Sequence, residues 1–264
     1  MAAKKHLIPF NGTGSATEGL MVILNAGGQA QGYVWEHTYP GGGAALPGKE
    51  IPRYVLGENE LRVFIQTPGW LHREAGSLKT NWTGFQNSTE AWVNYYGNDT
   101  VNLSLDGKSP QAVSRLVRRY YGFEANDPPP NASKPTGISK NLIPYNGGPE
   151  KITSLMVMPE HPAVPVRAYF WEQPIGAGAA GPPRPIPMRT YSPSHAGKTR
   201  VTLFAGIGDS PESSLLYRNT STIDIDLAEG FGSDIWVNFH PSNMTVNISL
   251  DGKGVHAVSK LVPF

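Results

Sequence analysis

The sequence predicts an all-β protein, built by tandem duplication of an antiparallel β-sandwich domain of jelly-roll-like form. Three observations predict it. Segments of the first half recur in the same order in the second half. The recurring segments alternate apolar and polar residues with the period of two expected of a half-buried strand. The 30 Gly and 24 Pro among 264 residues suit many turns and short strands better than long helices.

The duplication is plainest in "VNLSLDGKSPQAVSRLV" from Val101 and "VNISLDGKGVHAVSKLV" from Val246, which agree at 12 of 17 positions. Two of the five changes, Leu103 to Ile248 and Arg115 to Lys260, keep size or charge. Upstream, "KHLIPFNG" at Lys5 matches "KNLIPYNG" at Lys140, and "GLMVIL" at Gly19 matches "SLMVMP" at Ser154. "YVWE" at Tyr33 matches "YFWE" at Tyr169, "RVFI" at Arg62 aligns with "RVTL" at Arg200, and "AWVNYY" at Ala91 with "IWVNFH" at Ile235. The offset grows from 135 to 145 residues as loops lengthen. That period is too long for a solenoid, so each copy reads as a domain: residues 1–123 and 138–264. Between them "EANDPPPNASKPTG", residues 124–137 with four prolines, reads as a stiff linker.

Within a copy we expect roughly seven to nine strands. Tyr33 and Trp35, like Tyr169 and Trp171, have apolar neighbours and read as strands buried on both faces. Glu36 and Glu172 then end those strands or pair with Arg62 and Arg200. The long stretch from Thr67 to Glu90 reads as a loop displaying Trp70, His72, Trp82 and Phe85 among polar residues. In "AWVNYY" the side chains of Ala91, Val93 and Tyr95 turn one way, and those of Trp92, Asn94 and Tyr96 the other. "VNLSLDG" sets Val101, Leu103 and Leu105 against Asn102 and Ser104. The "GND" and "PSN" connections and the Asp-Gly steps are turn chemistry. Only "QAVSRLVRRYYGF" is ambiguous between strand and helix.

Strand parity leads to the functional expectation. With Val93, Leu103 and Leu105 in the core, Trp92, Asn94, Tyr96, Asn102 and Ser104 share the outer face of one hairpin. The second copy keeps this face as Trp236, Asn238, His240, Asn247 and Ser249. An aromatic ring among amides and hydroxyls suits a sugar: the ring lies against pyranose C–H groups, and Asn and Ser donate to and accept from its hydroxyls. The expected ligand residues are therefore Trp92, Asn94, Tyr96, Asn102, Trp236, Asn238, His240 and Asn247, with Trp70 and Trp82 added from the loop. The bland reading is that these indoles are covered by a loop or by the other copy.

Other chemistry is missing from the sequence. A formal charge of +1 offers no electrostatic footing for nucleic acid. Without cysteine there are no disulfides or thiolate metal sites, and the seven histidines show no pair at zinc-ligand spacing. No phosphate loop, HExxH, EF-hand or GxSxG occurs. "GDS" at Gly208 follows an apolar run, but serves as a nucleophile only with the α/β alternation that this copy lacks; Asp234 and His240 are its conceivable partners. We expect no cofactor, although Asp224, Asp226 or Asp99 with backbone carbonyls could hold calcium. Nine Asn-x-Ser/Thr sequons read as an Asn- and Ser/Thr-rich β surface. With no apolar stretch after Lys4 and Lys5, the expected location is cytoplasmic, or outside the cell by a route without a classical signal.

The function expected is that of a non-enzymatic lectin whose partners are glycans or glycoproteins. Two weak sites on one chain gain avidity on a multivalent surface, and self-association into a homo-oligomer is compatible with this. The alternatives are a membrane-active, toxin-like β protein using "RRYYGF" at Arg118 as a basic-aromatic contact, and an interaction module with no small ligand. Burial of both Trp92 and Trp236 between the domains would favour the last.

Overall fold

The computed structural model describes residues 4–120, 123–125, 135–160, 165–189, 199–211, 213–221, 223–225 and 234–264. Among them there is no α-helix, only strands and short 3-10 turns, and no helix is long and apolar enough to cross a membrane. The chain divides into two compact units, residues 1–118 and 119–264.

The strands of the first sheet are β1 (His6–Gly12), β2 (Gly19–Ala26), β3 (Gln29–Trp35), β4 (Ala44–Ala45), β5 (Lys49–Glu50) and β6 (Glu58–Thr67). They continue as β7 (Trp70–Glu74), β8 (Leu78–Asn81), β9 (Glu90–Tyr96), β10 (Thr100–Ser104), β11 (Pro110–Tyr120) and β12 (Phe123–Ala125). The second sheet holds β13 (Pro135–Asn146), β14 (Lys151–Glu160), β15 (Tyr169–Trp171), β16 (Arg184–Arg189) and β17 (Thr199–Gly208). Its remaining strands are β18 (Leu215–Asn219), β19 (Ile223–Ile225), β20 (Asp234–His240), β21 (Thr245–Ser249) and β22 (Ala257–Pro263).

The two sheets have the same connectivity along their main paths. The first runs β3-β2-β6-β7-β11-β10-β9-β1-β4 and the second β15-β14-β17-β18-β22-β21-β20-β13-β16. Neighbours on each path are antiparallel with one exception per copy: β1 lies parallel to β9, and β13 parallel to β20. Each sheet curls over its own core. In the first copy β11 pairs with β10 through Pro110–Arg115 and with β7 through Leu116–Arg118, so one bent strand carries the sheet from one face to the other. In the second copy β22 does the same, first with β21 and then with β18. Enclosed in the first copy are Leu7, Val22, Trp35, Val63, Val93 and Leu103, drawn from both faces. Leu142, Val157, Trp171, Leu203, Val237 and Ile248 fill the equivalent space in the second.

The expected alternation is present. Ala91, Val93 and Tyr95 are buried, as are Ile235, Val237 and Phe239. Tyr33, Val34 and Trp35 are all buried, and each copy's core indole spends its N–H on a loop carbonyl: Trp35 on Pro47 and Trp171 on Pro182, both at 2.8 Å. The ambiguous "QAVSRLVRRY" is strand, within β11.

Two readings change. The segment 124–137 is paired at both ends, since Phe123–Ala125 and Pro135–Asn146 are strands; its residues 126–134 lie outside the described residues. "RVFI" and "RVTL" are not equivalent. Met21 faces Phe64 across β2 and β6, while the matching Met156 faces Phe204 across β14 and β17, so the true partner of Arg62 is Thr202. A slip of two residues preserves which face each side chain occupies, so the two alignments look equally good in sequence. Arg62 contacts Glu60 at 3.0 Å and Glu74 at 3.7 Å.

Candidate functional site

The outer face of β9, β10 and β1 is assembled by register. Ser104 stands opposite Trp92 and Asn102 opposite Asn94 across the β9–β10 hairpin. On the other side of β9, Ile8 lies beside Trp92 and Phe10 beside Asn94. All of these but Ile8, together with the Asp106–Lys108 turn, line an open depression of about 440 Å³. The ring of Phe10 tilts against that of Tyr96, centroids 6.5 Å apart. Trp92, Asn94 and Tyr96 are partly exposed, whereas Asn102 and Ser104 are buried in the floor. The outward Val113, 65% exposed, stands opposite Asn102 and leaves this face uncovered there.

Polar groups of the floor are largely spoken for. Asn94 Nδ2 donates to Asn102 Oδ1 at 2.9 Å, and Trp92 Nε1 donates to Glu90 Oε2 at 3.1 Å. Asn94 Oδ1 and Asn102 Nδ2, the remaining polar atoms of that pair, take no further side-chain partner among the described residues. At the Trp92 end, Asp106 Oδ1 accepts the Ser104 hydroxyl and the N–H groups of Lys108 and Ser109 at 2.8–2.9 Å. Those donors, Ser109 N–H first, hold the Asp106 carboxyl far below the usual carboxylate range. Gly107 follows with φ +72, a conformation only glycine adopts freely, and its α-carbon passes under the Trp92 indole: a Cβ there would lie 3.4 Å from Nε1.

The second copy repeats this plan with altered detail. Asn238 Nδ2 donates to Asn247 Oδ1 at 2.8 Å, Asp251 anchors its turn through Gly254 and Lys253, and Gly252 (φ +72) underlies Trp236. Backbone N–H donors, Gly254 first, pull the Asp251 carboxyl down to about 2. Val258 repeats Val113, at 58% exposed opposite Asn247. The difference lies at His240, in the place of Tyr96. Asn247 Nδ2 donates to His240 Nε2 at 2.9 Å, so the free amide of the first copy is occupied in the second. Asp234, in the place of Glu90, accepts Asn141 Nδ2 at 3.0 Å.

The structure therefore brings Trp92, Asn94, Tyr96 and Asn102 together on one face, and Trp236, Asn238, His240 and Asn247 on its counterpart. It does not add the loop tryptophans to either. Trp82 is fully buried, stacked edge-on against Phe85 with centroids 4.8 Å apart and beside Tyr54, and so belongs to the core. An apolar surface of that size gains more inside than a polar loop context suggests. Trp70 is partly exposed but lines a different depression. Tyr120 of "RRYYGF" is buried, and Tyr121 and Gly122 lie outside the described residues.

Phe10, Glu90, Asp106 and Lys108 were missed. The alternation of Leu7 with Ile8 and Phe10 carries the signal for β1, but the parallel neighbour of β9 comes from far along the chain. Ser210 sits in a turn with Ser213 at 3.2 Å and has no histidine partner among the described residues. No three His, Asp or Glu side chains among the described residues cluster at metal-binding distance; Asp226 lies outside them. Comparison with protein-family models and with curated proteins finds no match to this chain.

Proposed function

We propose that the protein is a lectin, binding glycans through the outer faces of its twin hairpins. The observation that carries the reading is the partly exposed Trp92 ring set over an amide floor in an open depression of about 440 Å³. A pyranose laid on this floor places C–H groups against the indole. Its hydroxyls reach Asn94 Oδ1, Asn102 Nδ2 and the carboxylates of Glu90 and Asp106, all of which are neutral amides or acceptors suited to a polyol. An open site of this depth holds one sugar weakly, and the repeated face supplies a second contact from the same chain, worth about 10²–10⁴ in avidity on a multivalent surface. The second face offers one free amide fewer, so the first is expected to bind more tightly.

The test is a glycan array with the native chain, followed by calorimetry on Trp92→Ala with the best sugar. We expect binding on the array and a loss of about tenfold or more in the variant, equivalent to about 1.4 kcal/mol, with circular dichroism unchanged. No bound glycan, or full affinity in the variant, rejects the reading.

A further inference from the structure

The first unit has a second depression, of about 260 Å³, at the open end of its sandwich between β6, β7, β9 and β11. Its floor is core: Ile65, Leu116 and the Tyr95 ring, whose hydroxyl lies 2.6 Å from Thr17 Oγ1. The tight Pro68-Gly69 connection, with Gly69 at φ +90, sets Trp70 opposite Thr67. One strand over, Arg118 is the register partner of His72. The guanidinium carbon of Arg118 stands 5.0 Å from the Trp70 ring centroid, and His72 Nε2 is 3.3 Å from Thr67 Oγ1. Tyr96 and Asp99 form part of the opposite wall.

Arg118 and Asp99 both line the cleft, but no ion pair joins them. Arg118 has no carboxylate partner among the described residues. Burial, the largest effect, and the nearby Arg118 cation both lower the His72 pKa, and the Asp99 carboxylate opposes them. At the matching register positions of the second unit, Trp70, His72 and Arg118 are replaced by Leu215, Tyr217 and Pro263. One end of a duplicated fold has thus acquired a cation, an imidazole and an indole that the packing of the other end does without.

We propose that this cleft binds a hydroxylated ring bearing a carboxylate, an acid of the hexuronate type. A guanidinium held over an indole face keeps its planar N–H edge for a ligand, and that edge can receive a carboxylate in two parallel hydrogen bonds. The volume falls below the roughly 300–1,000 Å³ of sites for drug-sized ligands, so it admits a single ring. Trp70 and Tyr96 offer aromatic surface to its C–H groups. Asp99 repels a bare inorganic anion but accepts from a hydroxyl, which selects a hydroxylated acid over sulfate. Tyr96 lines both depressions, but Trp92 does not line this cleft, and Trp70, His72 and Arg118 do not line the other.

The test is calorimetric titration of the full chain with glucuronate, glucose and inorganic sulfate, using native protein, Arg118→Gln, Arg118→Lys and Trp92→Ala. Glucuronate is expected to bind native protein and Trp92→Ala alike, with glucose and sulfate at least about tenfold weaker. Arg118→Gln should lose about tenfold or more with its thermal midpoint unchanged. Should that variant fold poorly, Arg118→Lys keeps the charge but lacks the fork, and its affinity should fall by a similar factor. Absence of glucuronate binding, equal binding of glucose or sulfate, or undiminished affinity in the folded Arg118 variants overturns the proposal. Loss in Trp92→Ala instead would assign the acid to the other face and equally overturn it.

Discussion

The carboxylate of Glu74 accepts the backbone N–H of Val63 at 2.6 Å in the interior of the first unit. At the same place in the second unit Asn219 accepts the N–H of Leu203 at 3.0 Å and also donates to Val201 O at 2.9 Å. Both side chains clamp the sheet where pairing with the next strand ends, but one is a buried acid and the other a neutral amide that satisfies three backbone groups, the third being Ser221 O at 2.9 Å. Burial outweighs the Val63 hydrogen bond and the Arg62 and Arg73 charges and raises the Glu74 carboxyl to about 7.

Stability should therefore fall as pH rises. At pH 4 the carboxyl is protonated in both folded and unfolded chains and costs nothing. Between about 4.5 and 7 the unfolded chain ionises freely while the folded one holds its proton, so the folded state loses on the order of 3 kcal/mol by pH 8. Glu74→Gln keeps the acceptor and adds a donor, and should recover most of that difference. Urea denaturation of both proteins at pH 4 and pH 8 checks it: midpoints similar in acid, with the variant ahead at pH 8. Equal midpoints at pH 8 would contradict the burial argument.

Trp82→Ala should destabilise the first unit by about 3–5 kcal/mol, because it opens a cavity beside Phe85 and Tyr54. Differential scanning calorimetry reads this as a large drop in one transition. A binding-loop residue would leave the transition in place, so an unchanged thermogram would restore the loop reading.

His240→Tyr should strengthen sugar binding at the second face. It removes the acceptor at 2.9 Å that occupies Asn247 Nδ2 and recreates the Tyr96 arrangement. In a Trp92→Ala background only the second face reports, and calorimetry should show its affinity rising toward that of the first. No change would mean that the amide does not limit binding.

How legible was this in the sequence? The hairpins were, because Val93, Leu103 and Leu105 alternate with Trp92, Asn94 and Asn102 over two adjacent strands, and the second copy repeats the pattern. The β6 and β17 equivalence was not, because two Arg-Val pairs lie two residues out of true and period two cannot tell them apart. Trp82 was misjudged since most of its sequence neighbours are polar, while one of the two rings packed against it, Tyr54, comes from elsewhere in the chain. The Trp70–His72–Arg118 cleft needed the β7–β11 register, which links residues more than 40 apart.

The parallel pairing of β1 with β9 governs how the chain must assemble. His6 waits for Glu90 before the first sheet can close, a long loop closure of the kind that slows β proteins. Meanwhile "HLIPFNG" and "NLIPYNG" are near-twins, so either opening strand is shaped for the edge meant for the other. Synthesis from the N-terminus protects against this exchange, because β9 emerges before β13 exists to compete for it. Refolding from denaturant removes that ordering, and strand-swapped chains are the failure this architecture invites.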